Sequence, residues 1–248
     1  MGKVMMLIPT HFRHQRSNMQ TEIIPDSRLQ SAVPYLTAGS RVVDVGTDHA
    51  YLPIFLVREG IVARALACDI NQGPIDSARA NIAAAGLFDR IDTMCTDGLH
   101  GVESFRPDHI MIFGMGGELI IKILSEAPWV KNPSIGLVLQ PMSRAHLLRA
   151  WLLENGFAIT GETITYEDKY YQTVAARYCG KRESYSTEEL LLGKINVADN
   201  PPHFEGFLRH EIGVYEAILK GKSRSATADT RAEEEILRIL KRRLEKIT

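Results

Sequence analysis

The segment from Arg41 to Asp69 limits the fold more than any other. Val42, Val43 and Val45 form a short apolar strand with Asp44 near its end, Gly46 turns the chain, and Ala50, Tyr51 and Leu52 open a helix. A second apolar stretch, Ala63 to Asp69, ends on an acid about twenty residues past the turn. Strand, helix and strand at this spacing predict a βαβ unit. In such a unit the glycine turn and helix N-terminus receive an anionic or dipolar group, and the second acid takes a ribose diol.

The pattern continues downstream. Gln72 to Ala85 reads as a helix with Pro74 in its first turn and Gly86 after it, and Ile91 to Cys95 as a strand before Thr96-Asp97-Gly98. His109 to Phe113 is a fourth strand running into Gly114-Met115-Gly116-Gly117, and a helix covers Glu118 to Leu124. Gly136 to Leu139 is a fifth strand ending at Gln140-Pro141-Met142, followed by a helix from Arg144 to Asn155. Alternating strands and helices predict an α/β, Rossmann-like fold with a mostly parallel sheet covered on both faces. Phe157 to Thr165 and Tyr171 to Arg177, with little between them, predict an antiparallel hairpin at the C-terminal edge. Ahead of the first strand, Ser27 to Leu36 reads as a short helix interrupted by Pro34.

Beyond Lys181 no strand pattern remains. His203 to Lys220 and Asp229 to Ile247 each carry an apolar row at three-and-four spacing, and the polar Gly221 to Ala228 joins them. Two such helices predict an antiparallel helical hairpin, or coiled coil. The expected organisation is a tail over residues 1–19, a catalytic domain over 20–180 and a helical domain over 181–248.

With 248 residues, 45% hydrophobic and 24% charged, the chain is globular, and its net charge of −1 excludes a global nucleic-acid footprint. Three scattered cysteines without a C-x-x-C pair suit reduced thiols and a cytoplasmic protein. No run approaches a membrane span, and the N-terminal MGKVMMLIPTHFRHQRS makes a poor secretory signal. The histidines show no ligand spacing, so no metal is expected. A monomer or weak dimer is expected.

The turn GTDHA lacks two glycines of the dinucleotide fingerprint, and Asp48 would repel a diphosphate. S-adenosylmethionine, with its ribose diol, sulfonium and amino-acid end, fits the acids better. A ligand-free turn is the plain alternative. Asp69 has one too, as a cap for the next helix, and Asp97-Gly98 as a turn. Together, however, Asp44, Asp69 and Asp97 share one rim of the expected sheet, where open α/β sheets bind ligands.

At these residues a resemblance emerges. VVDVGTDHAYL aligns on motif I of class I S-adenosylmethionine-dependent methyltransferases, and Asp69, Ala78-Arg79-Ala80-Asn81, Gly86-Leu87, Ile91 and Asp97-Gly98 follow that superfamily's order. The forms TDHAYLP, GMGG, LQPM, LLRAWLLENGF and YYQTVAARY resemble the TrmK family of bacterial tRNA adenine-N1 methyltransferases, which modify the adenine at position twenty-two. The likeness spans roughly 20–180, and the helices beyond match that family's C-terminal domain. It implies that Asp44, Gly46, Thr47 and Gly114 hold the cofactor with Asp69, Ile70, Asp97 and Gly98. It also implies that Asp48, His49 and Tyr51 lie between cofactor and target base, beside Gly114, Met115 and Gln140. Tyr51 would stack on the base and Asp48 accept from its amino group. His49 has a plainer reading as a capping residue, and Met115 as pocket wall; Gln140 either bonds the base edge or caps the next helix.

Lys220, Lys222, Arg224, Arg238, Lys241, Arg242 and Arg243 on the hairpin are candidate phosphate contacts, although a solvated helix face is the commoner reason for such charges. A methyltransferase of a different RNA or of a small molecule, or an adaptor that binds the cofactor without turnover, remain the competing functions.

Overall fold

A computed structural model describes residues 25–223 and 229–248; the tail expected over residues 1–19 and the candidate phosphate contact Arg224 lie outside them. One seven-stranded sheet organises the chain. Strands β1 (Arg41–Val45), β2 (Arg64–Asp69), β3 (Ile91–Cys95), β4 (His109–Met115), β5 (Gly136–Pro141), β6 (Phe157–Tyr166) and β7 (Tyr170–Tyr178) take the order β3-β2-β1-β4-β5-β7-β6. The first five pair in parallel, and β7 runs antiparallel to both β5 and β6. The expected antiparallel hairpin is therefore present at the C-terminal edge. Its second strand is inserted beside β5, so the antiparallel strand is one in from the edge, and β6 forms the edge itself.

Side chains alternate across these strands and both faces are buried. Val43, Val45, Leu66, Ile110 and Ile112 share one core with α4 (Gly117–Ser125) and α5 (Ala145–Glu154). Val42, Ala65, Ala67, Met111 and Phe113 share the other with α2 (Tyr51–Arg58) and α3 (Gln72–Ala84). Among the described residues one turn of α-helix, α1 (Ser27–Gln30), precedes the sheet, capped by Asp26, whose carboxylate accepts from the Leu29 N–H. The expected continuation to Leu36 is broken because Pro34 has no N–H to give, and Val33–Tyr35 closes as a tight 3₁₀ turn instead.

The helical region is less separate than the sequence suggests. Helices α6 (Thr187–Leu192) and α7 (Lys194–Asp199) pack on α5 and β6. Arg149 of α5 and Glu162 of β6 form an ion pair at 2.7 Å with both side chains fully buried. Arg149 also donates to the Leu190 carbonyl at 3.0 Å and to Gln172 at 2.8 Å, and Glu162 accepts from the Ile195 N–H at 2.9 Å. Any side chain at Gly193 would strike the Glu162 carboxylate. Helices α8 (Phe204–Lys222) and α9 (Arg231–Ile247) then pair antiparallel, as Lys222–Glu233 and Lys241–Glu216 show, and share a third core with Ile164 of β6. That packing buries one face of the edge strand β6 at Ile164.

Candidate active site

Strand order reverses between β1 and β4, so the crevice beyond their carboxyl ends is where the fold offers a ligand site. A cavity of about 390 Å³ lies there. Its walls are Asp26, Arg28 and Leu29 from the α1 region, Asp44 and the turn from Gly46 to Leu52, and Phe113-Gly114 at the end of β4.

The turn is built around two needs. Gly46 sits at φ +81, and a side chain there would strike the terminal methyl of Met115. Both the Gly46 and the Thr47 N–H donate to the Cys68 carbonyl at 2.8 Å. Those two donors are thus spent within the sheet, while the Asp44 and Asp48 carboxylates line the cavity beside the turn. That suits a cationic or zwitterionic end and disfavours a phosphate. Ala50 at the start of α2 holds a left-handed conformation (φ +57), a strain that costs an alanine roughly 1–2 kcal/mol. Asn81 of α3 braces this stretch by donating to the His49 carbonyl at 3.0 Å.

Asp44 is the electrostatic centre, only 8% exposed. Burial raises its pKa from 3.8 to about 6. The nearby Thr47 hydroxyl, which makes no hydrogen bond of good geometry, and the Arg28 charge offset that rise only in part. Gln140, bonded to the lining residue Arg28, is fully buried and is not itself part of the cavity wall. Its Oε1 accepts from Arg28 Nη1 at 3.2 Å, while its Nε2 has no hydrogen-bond partner among the described residues. Gln140 therefore does not cap α5, whose N-cap position is taken by Arg144. A buried carboxylate and an arginine in one cavity wall fit a ligand with both donors and acceptors.

Asp48, His49 and Tyr51 stand together at the mouth. Asp48 Oδ2 lies 3.2 Å from His49 Nε2, and the His49 and Tyr51 rings stack with centroids 5.1 Å apart. Tyr51 is 42% exposed, so its ring can meet a planar guest. Gly114 occupies a bulge in β4 at φ +75, and Met115 beyond it packs over Gly46 rather than lining the cavity. Asp69, Ile70, Asp97 and Gly98 follow β2 and β3 on the same rim, outside the enclosed volume. Asp69 spends one oxygen on the Asn71 N–H at 2.7 Å; the other has no hydrogen-bond partner among the described residues, and Asp97 is exposed.

Arg28 was not foreseen. It bonds Gln140, ion-pairs with Asp26 at 3.5 Å and lies over the Tyr171 ring at 5.6 Å. A lone arginine in a one-turn helix carries no sequence signal for such a role; only the antiparallel β7 brings Tyr171 beneath it.

On the hairpin, most expected phosphate contacts are already engaged. Lys222 pairs with Glu233, Lys241 with Glu216 and Arg238 with Glu235. Arg243 holds Glu188 of α6 through two nitrogens at 2.9 Å and donates to the Val197 carbonyl. Lys220 and Arg242 are exposed and carry no ion pair among the described residues. Among those residues no cluster of His, Cys, Asp and Glu could hold a metal, and no helix is long and apolar enough to cross a membrane.

Sheet order, acid-tipped strands and the crevice at the switch point define a Rossmann-like methyltransferase, and a family profile described as "Methyltransferase domain" matches residues 26–174. The tRNA (adenine(22)-N(1))-methyltransferase of Bacillus subtilis (strain 168) is 31% identical over 233 residues, covering 90% of this chain and 95% of that protein. The chain belongs to the family of tRNA (adenine(22)-N(1))-methyltransferases. The crystal structure of a putative tRNA (m1A22) methyltransferase of Streptococcus pneumoniae is similar at TM-score 0.81 and 30% identity, covering 89% of this chain and all (100%) of that one. A structure of the same protein in complex with S-adenosyl-L-methionine gives TM-score 0.79 at the same identity and coverage.

Proposed function

We propose that the chain methylates N1 of adenine 22 in tRNA, taking the methyl group from S-adenosylmethionine. One observation carries the reading of the site: Asp44 is buried in the wall of the cavity, has no ion pair among the described residues, and has its pKa raised to about 6 by that burial. When bound, the cofactor supplies an electrophilic methyl on a sulfonium. Asp44 would hold its ammonium, Arg28 its carboxylate, and Asp69 its ribose diol. Thr47, Ile70, Asp97, Gly98 and Gly114 would complete the cradle.

Adenine N1 carries an in-plane lone pair, so the protein needs no base to deprotonate it. The residues' work is to position, to exclude water and to bear the product's charge. The base must leave its stack to reach the cavity. Tyr51 would then stack on it, and Asp48 accept from its amino group and favour the cationic product. The His49 ring sits between Asp48 and Tyr51 and would keep them in place, while Met115 fixes the turn at Gly46.

We assign residues 20–180 to catalysis and 181–248 to substrate binding. Among the described candidates, Lys220 and Arg242 are the side chains without an ion pair that could meet phosphate, and Arg243 is a structural clasp. Removing Lys181 to Thr248 would also strip the Leu190 and Ile195 backbone groups from Arg149 and Glu162, so charge reversal at Lys220 and Arg242 is the cleaner test of that assignment. The protein would act in the cytoplasm, in keeping with its unpaired cysteines, and one chain suffices to build the cavity. Incubation with unmodified tRNA and labelled S-adenosylmethionine, mapped by reverse-transcription stops, tests the reaction. A stop at position 22 is expected; no label, or label elsewhere, overturns it. Turnover should also fall steeply with salt, since the substrate is a polyanion.

A further inference from the structure

Because β7 is antiparallel to both neighbours, β6 points the same way as β5 and ends at Tyr166 on the rim that carries the cavity. The two are joined there. Ser27, between cavity-lining Asp26 and Arg28, donates its N–H to Glu167 Oε1 at 2.6 Å. At this hairpin tip rings from two parts of the chain gather. The Tyr166 centroid is 4.8 Å from that of Tyr170 and 6.4 Å from that of His203, and Tyr170 lies 5.7 Å from His210.

Packing accounts for only part of this cluster. Tyr170 meets the buried Phe207 edge-on, and its hydroxyl fills the space a side chain on Gly206 would need, so Tyr170 seals α8 to the hairpin. Tyr166 is 49% exposed and His203 and His210 are exposed, so these rings keep faces turned to water. The neighbouring acids are engaged, Glu167 by Ser27 and Asp168 by the Tyr171 hydroxyl at 2.7 Å. Exposed aromatic and imidazole faces beside a nucleotide-sized cavity are the chemistry that recognises an unpaired base, since every base offers a π-face. Aliphatic side chains, which a docking protein helix would meet, are not what this tip presents.

We propose that Tyr166, backed by Tyr170 and flanked by His203 and His210, is a stacking shelf for an unpaired tRNA base next to the adenine delivered to the cavity. This rests on the tRNA reading above. The test compares wild type with Tyr166→Ala, Tyr166→Phe and Tyr166→Trp. It measures KM and kcat on unmodified tRNA, cofactor affinity and the melting midpoint. Loss of one stacked base should raise KM for tRNA by about tenfold or more in Tyr166→Ala. Cofactor affinity and melting should hold, and Phe or Trp should restore KM. His203→Asn, which keeps a residue tolerant of the left-handed backbone at φ +69, should give a smaller rise. An active wild type with an unchanged Tyr166→Ala overturns the shelf alone. So does a loss that Phe and Trp fail to restore, or one matched by a fall in melting. A wild type inert on every tRNA overturns the shelf together with the reading beneath it.

Discussion

Asp44 and Glu162 are both buried carboxylates, and the chain treats them in opposite ways. Glu162 has Arg149 at 2.7 Å, and its second oxygen takes the Ile195 N–H. Asp44 has no ion pair among the described residues, and burial lifts its pKa to about 6. The first is a finished joint between sheet and helical domain. The second lines the cavity with no partner charge among the described residues, as expected of the proposed cofactor contact. A buried charge is thus read by what it lacks: complete satisfaction marks architecture, and a deficit marks the place where a ligand arrives.

The sharpest way to break this contrast is at the joint. Glu162→Ala leaves the Arg149 guanidinium buried and unpaired, which should cost on the order of 3–5 kcal/mol and lower the melting midpoint by roughly 10 °C. An unchanged melt would mean that the pair is idle.

Asp44→Asn should do the reverse. Because the folded state holds the Asp44 proton more tightly than an ordinary carboxyl at 3.8 does, the free protein gains stability as pH falls from 7 through 6 toward 4. Removing the charge should therefore stabilise the free protein at pH 7 by up to roughly 3 kcal/mol, while titration calorimetry shows cofactor binding lost. In the wild type, cofactor affinity should weaken below about pH 6, as Asp44 takes up its proton. A destabilised Asn variant that still binds would refute the deficit account.

Arg28→Met sharpens the same point. It removes a positive charge that lowers the Asp44 pKa, so the pH at which cofactor binding is half lost should move upward, with affinity at pH 7.5 down about tenfold. Least affected should be Asp48→Asn. Asp48 is highly exposed, and turnover should drop only about fivefold, with cofactor binding intact and the deficit shrinking as salt is added. Full turnover in that variant would remove Asp48 from the reaction.

Local pattern explains what could be read in advance. The βαβ unit, the Asp44-Gly46 turn and the amphipathic rows of α8 and α9 are each written within a few residues, and each forms where expected. Strand insertion is different: β7 lies between β5 and β6 because of pairing among distant segments, which periodicity does not encode. Arg28 and Gln140 are 112 positions apart, and Arg149 reads as an ordinary charge on an amphipathic helix until Glu162 and the α6–α7 backbone close around it. On the hairpin, Arg238–Glu235 was legible from its three-residue spacing, whereas Lys241–Glu216 needed the fold of the two helices.

The joint at Glu162 also sets a length. With α6 and α7 locked to the sheet and Arg243 fastening α9 to Glu188, the hairpin cannot swing freely about the catalytic body. Its exposed lysine and arginine stand at a constant reach from the cavity. On the tRNA reading proposed above, an arm held in this way would work as a ruler, selecting a nucleotide by its distance from the gripped backbone rather than by its neighbours' identity.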